Sequence, residues 1–184
     1  MKFFTFEAYD EWYGVGIATG LDNSFRQYQV HLNSMRGVLP QSILELAVLG
    51  GVDDGLVVRV KHDLKRNLLK FVIRCGHLQM GYYDLELTYI GVCLAPEDKQ
   101  TLQKICVDNR LQYCDLAFHE LDIGSNGGVE HRFLFHYLDW SISEQRLGRL
   151  SFAIGCKELH WKALPRKSRR ILKIENRYHA TPAN

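Results

Sequence analysis

Three places in the chain set a histidine beside a carboxylate: His62-Asp63, His119-Glu120 and Glu130-His131. Imidazole titrates near neutrality and an adjacent carboxylate can orient it, so such pairs suit a general base or a metal ligand. Each pair lies near the end of an alternating segment. Counted along those segments, His62 continues the face of Leu56, Val58 and Val60, and Glu120 that of Cys114, Leu116 and Phe118. His131 shares a face with Phe133 and Phe135. The parity predicts that His62, Glu120 and His131 point to one side of a sheet, as a small hydrolase or metal enzyme would need. The competing expectation is that they are core-edge residues tying loops by hydrogen bonds. No HxH, HExxH or HxxxH spacing is present, so no metal and no cofactor are expected.

Other reactive types carry less. The five cysteines are Cys75, Cys93, Cys106, Cys114 and Cys156, with no CxxC pair, and four have apolar neighbours. They read as small buried hydrophobes in a reducing compartment, not as a disulfide framework or zinc site. Asp53-Asp54-Gly55 lacks the alternating oxygen ligands of a calcium loop and reads as a turn. No phosphate-binding glycine loop and no GxSxG elbow occurs.

Charge is distributed unevenly. The net charge is only +2, too mild to declare a nucleic-acid or membrane protein. Residues 157–177, however, carry +6, which leaves −4 on the rest. Lys162, Arg166, Lys167, Arg169 and Arg170 could neutralise phosphates, with Trp161 stacking on bases. The alternative is an arm folding back onto an acidic body.

The elements that would position these residues follow from periodicity. Phe6, Tyr9, Tyr13 and Ile17 recur at helical spacing, as do Phe25, Tyr28, Leu32 and Met35, with Gly37 as a stop. A third helix begins at Pro40 and carries Ile43, Leu44 and Leu46. After Gly51 the period becomes two, through Leu56–Lys61, Leu69–Cys75 and Tyr83–Tyr89. Pro96-Glu97-Asp98 opens an inserted helix, and strand patterning resumes at Tyr113–Leu121, His131–Leu138 and Leu150–Ile154. Helices and strands are segregated, which predicts an α+β domain over 1–156, helical over 1–50 and mainly β over 51–156. It has an antiparallel sheet of about six strands packed by N-terminal helices, and a basic C-terminal arm over 157–184.

The stretch from Gly51 to Val60, followed by Tyr83 to Val92, resembles an uncharacterised bacterial family. Phe118-His119-Glu120-Leu121-Asp122 and Glu130 to Phe135 are similar to it as well, so the likeness extends over about the middle half of the chain. Where that family more usually has His-Asp, this chain has Asp53-Asp54. The resemblance implies a helical N-terminus before a β-rich domain and brings no established activity. Some similar-looking small proteins are immunity partners of bacterial toxins, which implies a protein partner.

Hydrophobic residues at 46% and charged residues at 24% exclude wholesale disorder. No apolar run approaches the ~18 residues of a membrane span. Glu7, Asp10 and Glu11 interrupt the apolar start, so no secretory signal is expected. The expectation is a cytoplasmic, non-catalytic protein that binds another protein, with an immunity-type inhibitor as the form the resemblance implies. Nucleic-acid binding through the basic arm is the second reading, and the His62, Glu120, His131 enzyme the third.

Overall fold

The computed structural model describes residues 2–8, 19–77, 81–107, 115–139 and 146–166. The alternating segments form seven antiparallel strands: β1 (Gly55–Asp63), β2 (Leu68–His77), β3 (Gly81–Ile90), β4 (Asp115–Ile123), β5 (Val129–Asp139), β6 (Arg146–Cys156) and β7 (Glu158–Pro165). Their order in the sheet is β6-β5-β4-β1-β2-β3-β7. The helices are α1 (Thr19–Ser34), α2 (Gln41–Ala47) and α3 (Pro96–Val107). Residues 6–8 are also helical, while Tyr9, Tyr13 and Ile17 of the expected first helix lie outside the described residues.

The α+β class and the antiparallel sheet stand as the sequence led us to expect, with seven strands instead of about six. The seventh comes from Glu158–Pro165, which charge alone had placed in the basic arm. Leu159 and Trp161 alternate with His160 and Lys162, and every residue from Glu158 to Pro165 pairs in register with β3. Hydrogen bonding to an open sheet edge decides the conformation there, and composition does not.

The sheet folds over on itself. β1 meets β4 at only two residue pairs, Gly55 with Leu116 and Leu56 with Asp115. On either side of that narrow junction the two halves face each other. Phe71 of β2 stacks on Phe133 of β5 at 5.8 Å and lies 6.1 Å from Phe152 of β6. Lys157 alone links β6 to β7, so the two ends of the strand order come together. The interior between the halves holds Leu69, Ile73, Leu85, Leu87, Tyr89 and Phe135, all fully buried. Dense apolar burial of this kind supplies most of the folding free energy, at about 25 cal/mol per Å².

Two bulges shift the pattern by one residue. In β1 the register slips between Val57 and Arg59, so Leu56 and Val57 are both buried and Val58 is 40% exposed. In β4 it slips between Leu116 and Phe118. Because side chains alternate with period two, one extra residue sends every later side chain to the opposite face.

The outer face of β4 and β5 is covered by the helices and the start of the chain. Tyr28 and Leu32 of α1, and Met35 just after it, are buried, as expected, while Phe25 remains 44% exposed. Gly37 ends the segment at φ +87°, a left-handed conformation suited to glycine. Ile43, Leu44 and Leu46 bury one face of α2. On the opposite side, the Asp98 carboxylate of α3 accepts the Ala153 N–H at 3.1 Å and so closes part of the β6 edge.

Candidate functional site

The register of β4 against β5 separates the residues that parity had grouped. Leu121 pairs with His131 and Glu120 with Arg132, so His131 faces the interior and Glu120 the helical side. The reason is the β4 bulge, which inverts the count carried forward from Leu116. His62 pairs with buried Leu69 and keeps its inward parity. It is half-buried, six residues past the β1–β4 junction, and makes no hydrogen bond to Glu120 or His131. The expected grouping of His62, Glu120 and His131 is therefore corrected: the three do not converge.

Each of the two buried members has another partner set. Glu120 Oε1 accepts the N–H groups of Phe3 at 2.6 Å and Phe4 at 2.7 Å, and Oε2 accepts that of Lys2 at 2.8 Å. Arg132 lies 3.7 Å from Glu120, and it also pairs with Asp122 and Glu130. Glu120 thus pins the first residues of the chain to the sheet. Beside it, His31 of α1 meets Asp122 at 3.0 Å, and the Leu121 N–H donates to the Tyr28 hydroxyl at 2.7 Å. Partial burial pushes the Asp122 pKa upward, but the Ile123 N–H, His31 and Arg132 outweigh it and hold the carboxyl below its ordinary range.

His131 belongs to a buried polar chain inside the fold. The Tyr89 hydroxyl lies 2.9 Å from His131 Nδ1, and His131 Nε2 lies 3.1 Å from His119 Nδ1. With Tyr89 donating, His131 carries its proton on Nε2 and donates it to His119, whose own proton is then on Nε2. All three side chains are buried. Burial holds the His119 pKa down to about 4, and burial together with nearby His119 holds His131 well below the usual imidazole range. Both rings are therefore neutral at pH 7.

His119 also lines a cleft of about 240 Å³ between α1, α2 and β4. Phe4, Phe25, Leu32 and Phe118 give it an apolar wall, and Phe4 stacks on Phe118 at 4.9 Å. Asp53 stands at the solvent side. Desolvation, and then repulsion from Asp54, raises its carboxyl pKa to about 6. At neutral pH the cleft thus offers an aromatic wall and a carboxylate, while the His119 ring is turned inward onto His131.

The chain matches no family model, no curated protein and no solved structure. The cleft and its lining therefore carry the functional argument.

The remaining candidates are placed as follows. Lys162 pairs with Glu86 at 2.8 Å, and Arg166 with Asp84 at 3.0 Å. These two cations neutralise acids of the neighbouring strand β3, as the folded-back alternative expected. Lys167, Arg169 and Arg170 lie outside the described residues. Asp84 and Glu86 are thus engaged within the sheet, Asp84 by Arg74 as well as Arg166. Cys75 and Cys156 are buried as expected, with burial pushing their thiols up to about 12 and about 11, whereas Cys93, in the segment between β3 and α3, is exposed and departs from that expectation. Among the described residues no group of three His, Cys, Asp or Glu is disposed to hold a metal ion.

Sequence reasoning missed Tyr89, His119, Asp53 and Phe4 as members of one region. No local signal links them. Tyr89 reads as a core tyrosine and Asp53 as a turn residue, and only the tertiary fold brings β3, β5 and the β1 approach together.

Proposed function

We propose that the protein acts by binding another protein without catalysis, its cleft capturing one aromatic or long aliphatic side chain of the partner. The observation that carries this is the size and lining of the cleft. Sites for drug-sized ligands start at about 300 Å³. At about 240 Å³ this one suits a single large side chain. Its apolar wall favours the aromatic anchors that dominate interface energetics. Asp53 and Asp54 favour a basic group beside that anchor. Phe25 and Val48 stand exposed at the rim, as residues that a partner would cover. The more specific reading, an immunity-type inhibitor of a basic partner, rests on the resemblance noted above together with this acidic rim.

Val48→Glu places a charge at an exposed rim position and should fold normally, whereas Phe25→Glu also gives up ring contacts with Phe4 and Phe118 and should cost some stability. Affinity capture with the intact chain at low salt is expected to retain a partner that both variants lose by a factor of about 100 or more, the scale of a hot spot near 3 kcal/mol. The thermal midpoint of Val48→Glu, checked alongside, should change little. A protein retained equally by all three chains, or none retained specifically by the intact chain, would count against the reading.

A further inference from the structure

The outer face of the sheet treats charge in two different ways. Lys162 of β7 and Arg166 just after it meet Glu86 and Asp84 of β3, and Arg74 at the far end of β2 meets Asp84. Toward the turn of the β1–β2 hairpin the cations are not matched in this way. Lys61 and Lys70 stand directly opposite each other in register, and Arg59 follows on the same face. Lys65 and Arg66 continue the series at the hairpin turn. All five are exposed. Among the described residues no carboxylate pairs with Arg59, Lys61, Lys65 or Lys70, and Arg66 reaches only Asp63, at 3.8 Å. Like charges directly opposite across a strand pair oppose folding. The fold nevertheless holds this pair while placing Glu86 and Asp84 in β3, one strand from Lys70 and two from Lys61.

The cations are strung out along the hairpin. At about 3.3 Å per residue, Arg59 and Lys61 are separated by about 7 Å, and the series from Arg59 to the turn extends over about 20 Å. A linear array complements a linear polyanion better than one isolated phosphate. An anionic membrane would need an apolar face to insert among the charges. The exposed hydrophobes here are Val58, inside β1, and Leu64, six residues on in the hairpin turn, and two isolated side chains form no such face.

We propose that the outer face of the β1–β2 hairpin binds the phosphodiester backbone of nucleic acid, without reading its sequence. This site is separate from the cleft on the helical side, and separate from the C-terminal cations that sequence had suggested. Five cations and one nearby acid correspond to about four neutralised phosphates, which gives a slope of log affinity against log salt of about −3 to −4.

The test is fluorescence anisotropy of the full chain with a fluorescein-labelled 20-nucleotide single strand and its duplex, across 25–200 mM NaCl as an approximate range. Binding with the stated slope is expected. Lys61→Glu with Lys70→Glu should weaken it at least about tenfold, whereas alanine at Lys167, Arg169 and Arg170 should leave it within about twofold. The single change Lys61→Glu supplies a second readout. It should weaken binding while raising the thermal midpoint by about 1–4 °C, because it converts a repulsive cross-strand pair into an attractive one. The proposal is overturned if neither nucleic acid binds, if the hairpin variants bind like the parent, or if only the C-terminal alanines abolish binding. Binding to vesicles of phosphatidylcholine with 30% phosphatidylglycerol (roughly the charge of an anionic leaflet), lost in the hairpin variants and with no nucleic acid bound, would overturn it in favour of a membrane surface.

Discussion

Unfolding free energy is expected to fall steeply as pH drops below about 6.5, well before ordinary carboxylates titrate. The cause is the buried pair His119 and His131. In the folded protein burial holds His119 down to about 4 and His131 well below its ordinary value. In the unfolded chain both return to about 6.5. Between these values the unfolded state binds more protons, so stability rises with pH. The contribution is fully present above about pH 6.5 and is lost as pH falls toward 4. Each such group changes stability by up to about 1.4 kcal/mol per pH unit, so the pair gives a limiting slope of about 2–3 kcal/mol per unit.

Other groups modify this profile in known directions. Asp53, raised to about 6, binds its proton more readily in the fold and partly offsets the histidines between pH 6 and 4. Replacing it by Asn should steepen the profile. Asp122 has a lowered pKa, so its contribution disappears only at lower pH, below the ordinary carboxylate value. Urea unfolding at several pH values between 7.5 and 4.5 checks the prediction. His131→Leu should lose about 2 kcal/mol at pH 7, because it strands the Tyr89 hydroxyl and a His119 nitrogen, yet it should flatten the slope. A parent profile that is flat from pH 7 to 5 would show that the pair is not held neutral.

The same histidines show where sequence stops being informative. The strands were legible because Leu69, Phe71 and Ile73, or Leu85, Leu87 and Tyr89, alternate with solvent-facing residues under a purely local rule. Helices α1 and α2 were legible for the same reason at their own period. A bulge has no such signal. Ala117 is a residue any strand could carry, but the slip beside it sends Glu120 to the helical face and leaves His119 with His131. The site also depends on which strands stack across the fold, and Tyr89 meets His131 from 42 positions away. Strand β7 was masked differently. Its alternation, Leu159 then Trp161, is present in the sequence. Its charge drew the reading toward an arm, because the acids that balance Lys162 and Arg166 lie about 80 residues earlier, in β3.

Glu120 carries the second large effect, and it ties stability to the cleft. Its two oxygens receive the N–H groups of Lys2, Phe3 and Phe4, and the residue is buried. A buried donor left without an acceptor costs about 1–3 kcal/mol. In Glu120→Ala the first residues can escape part of that cost by leaving the sheet, but Phe4 then loses its burial, worth about 1.5–3 kcal/mol. Either route predicts a loss of about 3 kcal/mol, or a thermal midpoint lower by about 6–12 °C for a chain of this size. Glu120→Gln keeps one acceptor oxygen and turns a donating amide toward the Lys2 N–H and Arg132, so its loss should be smaller, about 1–2 kcal/mol. Hydrogen exchange separates local undocking from general weakening. In the alanine variant the amides of Phe3 and Phe4 should exchange far faster, while those of β2 and β3 speed up only in proportion to the lost global stability. Because Phe4 forms part of the cleft wall against Phe118, the same variant should weaken partner capture even though Glu120 does not line the cleft. A midpoint within about 2 °C of the parent, with Phe3 and Phe4 still protected, would mean that aromatic packing against Tyr28 and Phe118 holds the segment and that the carboxylate does not.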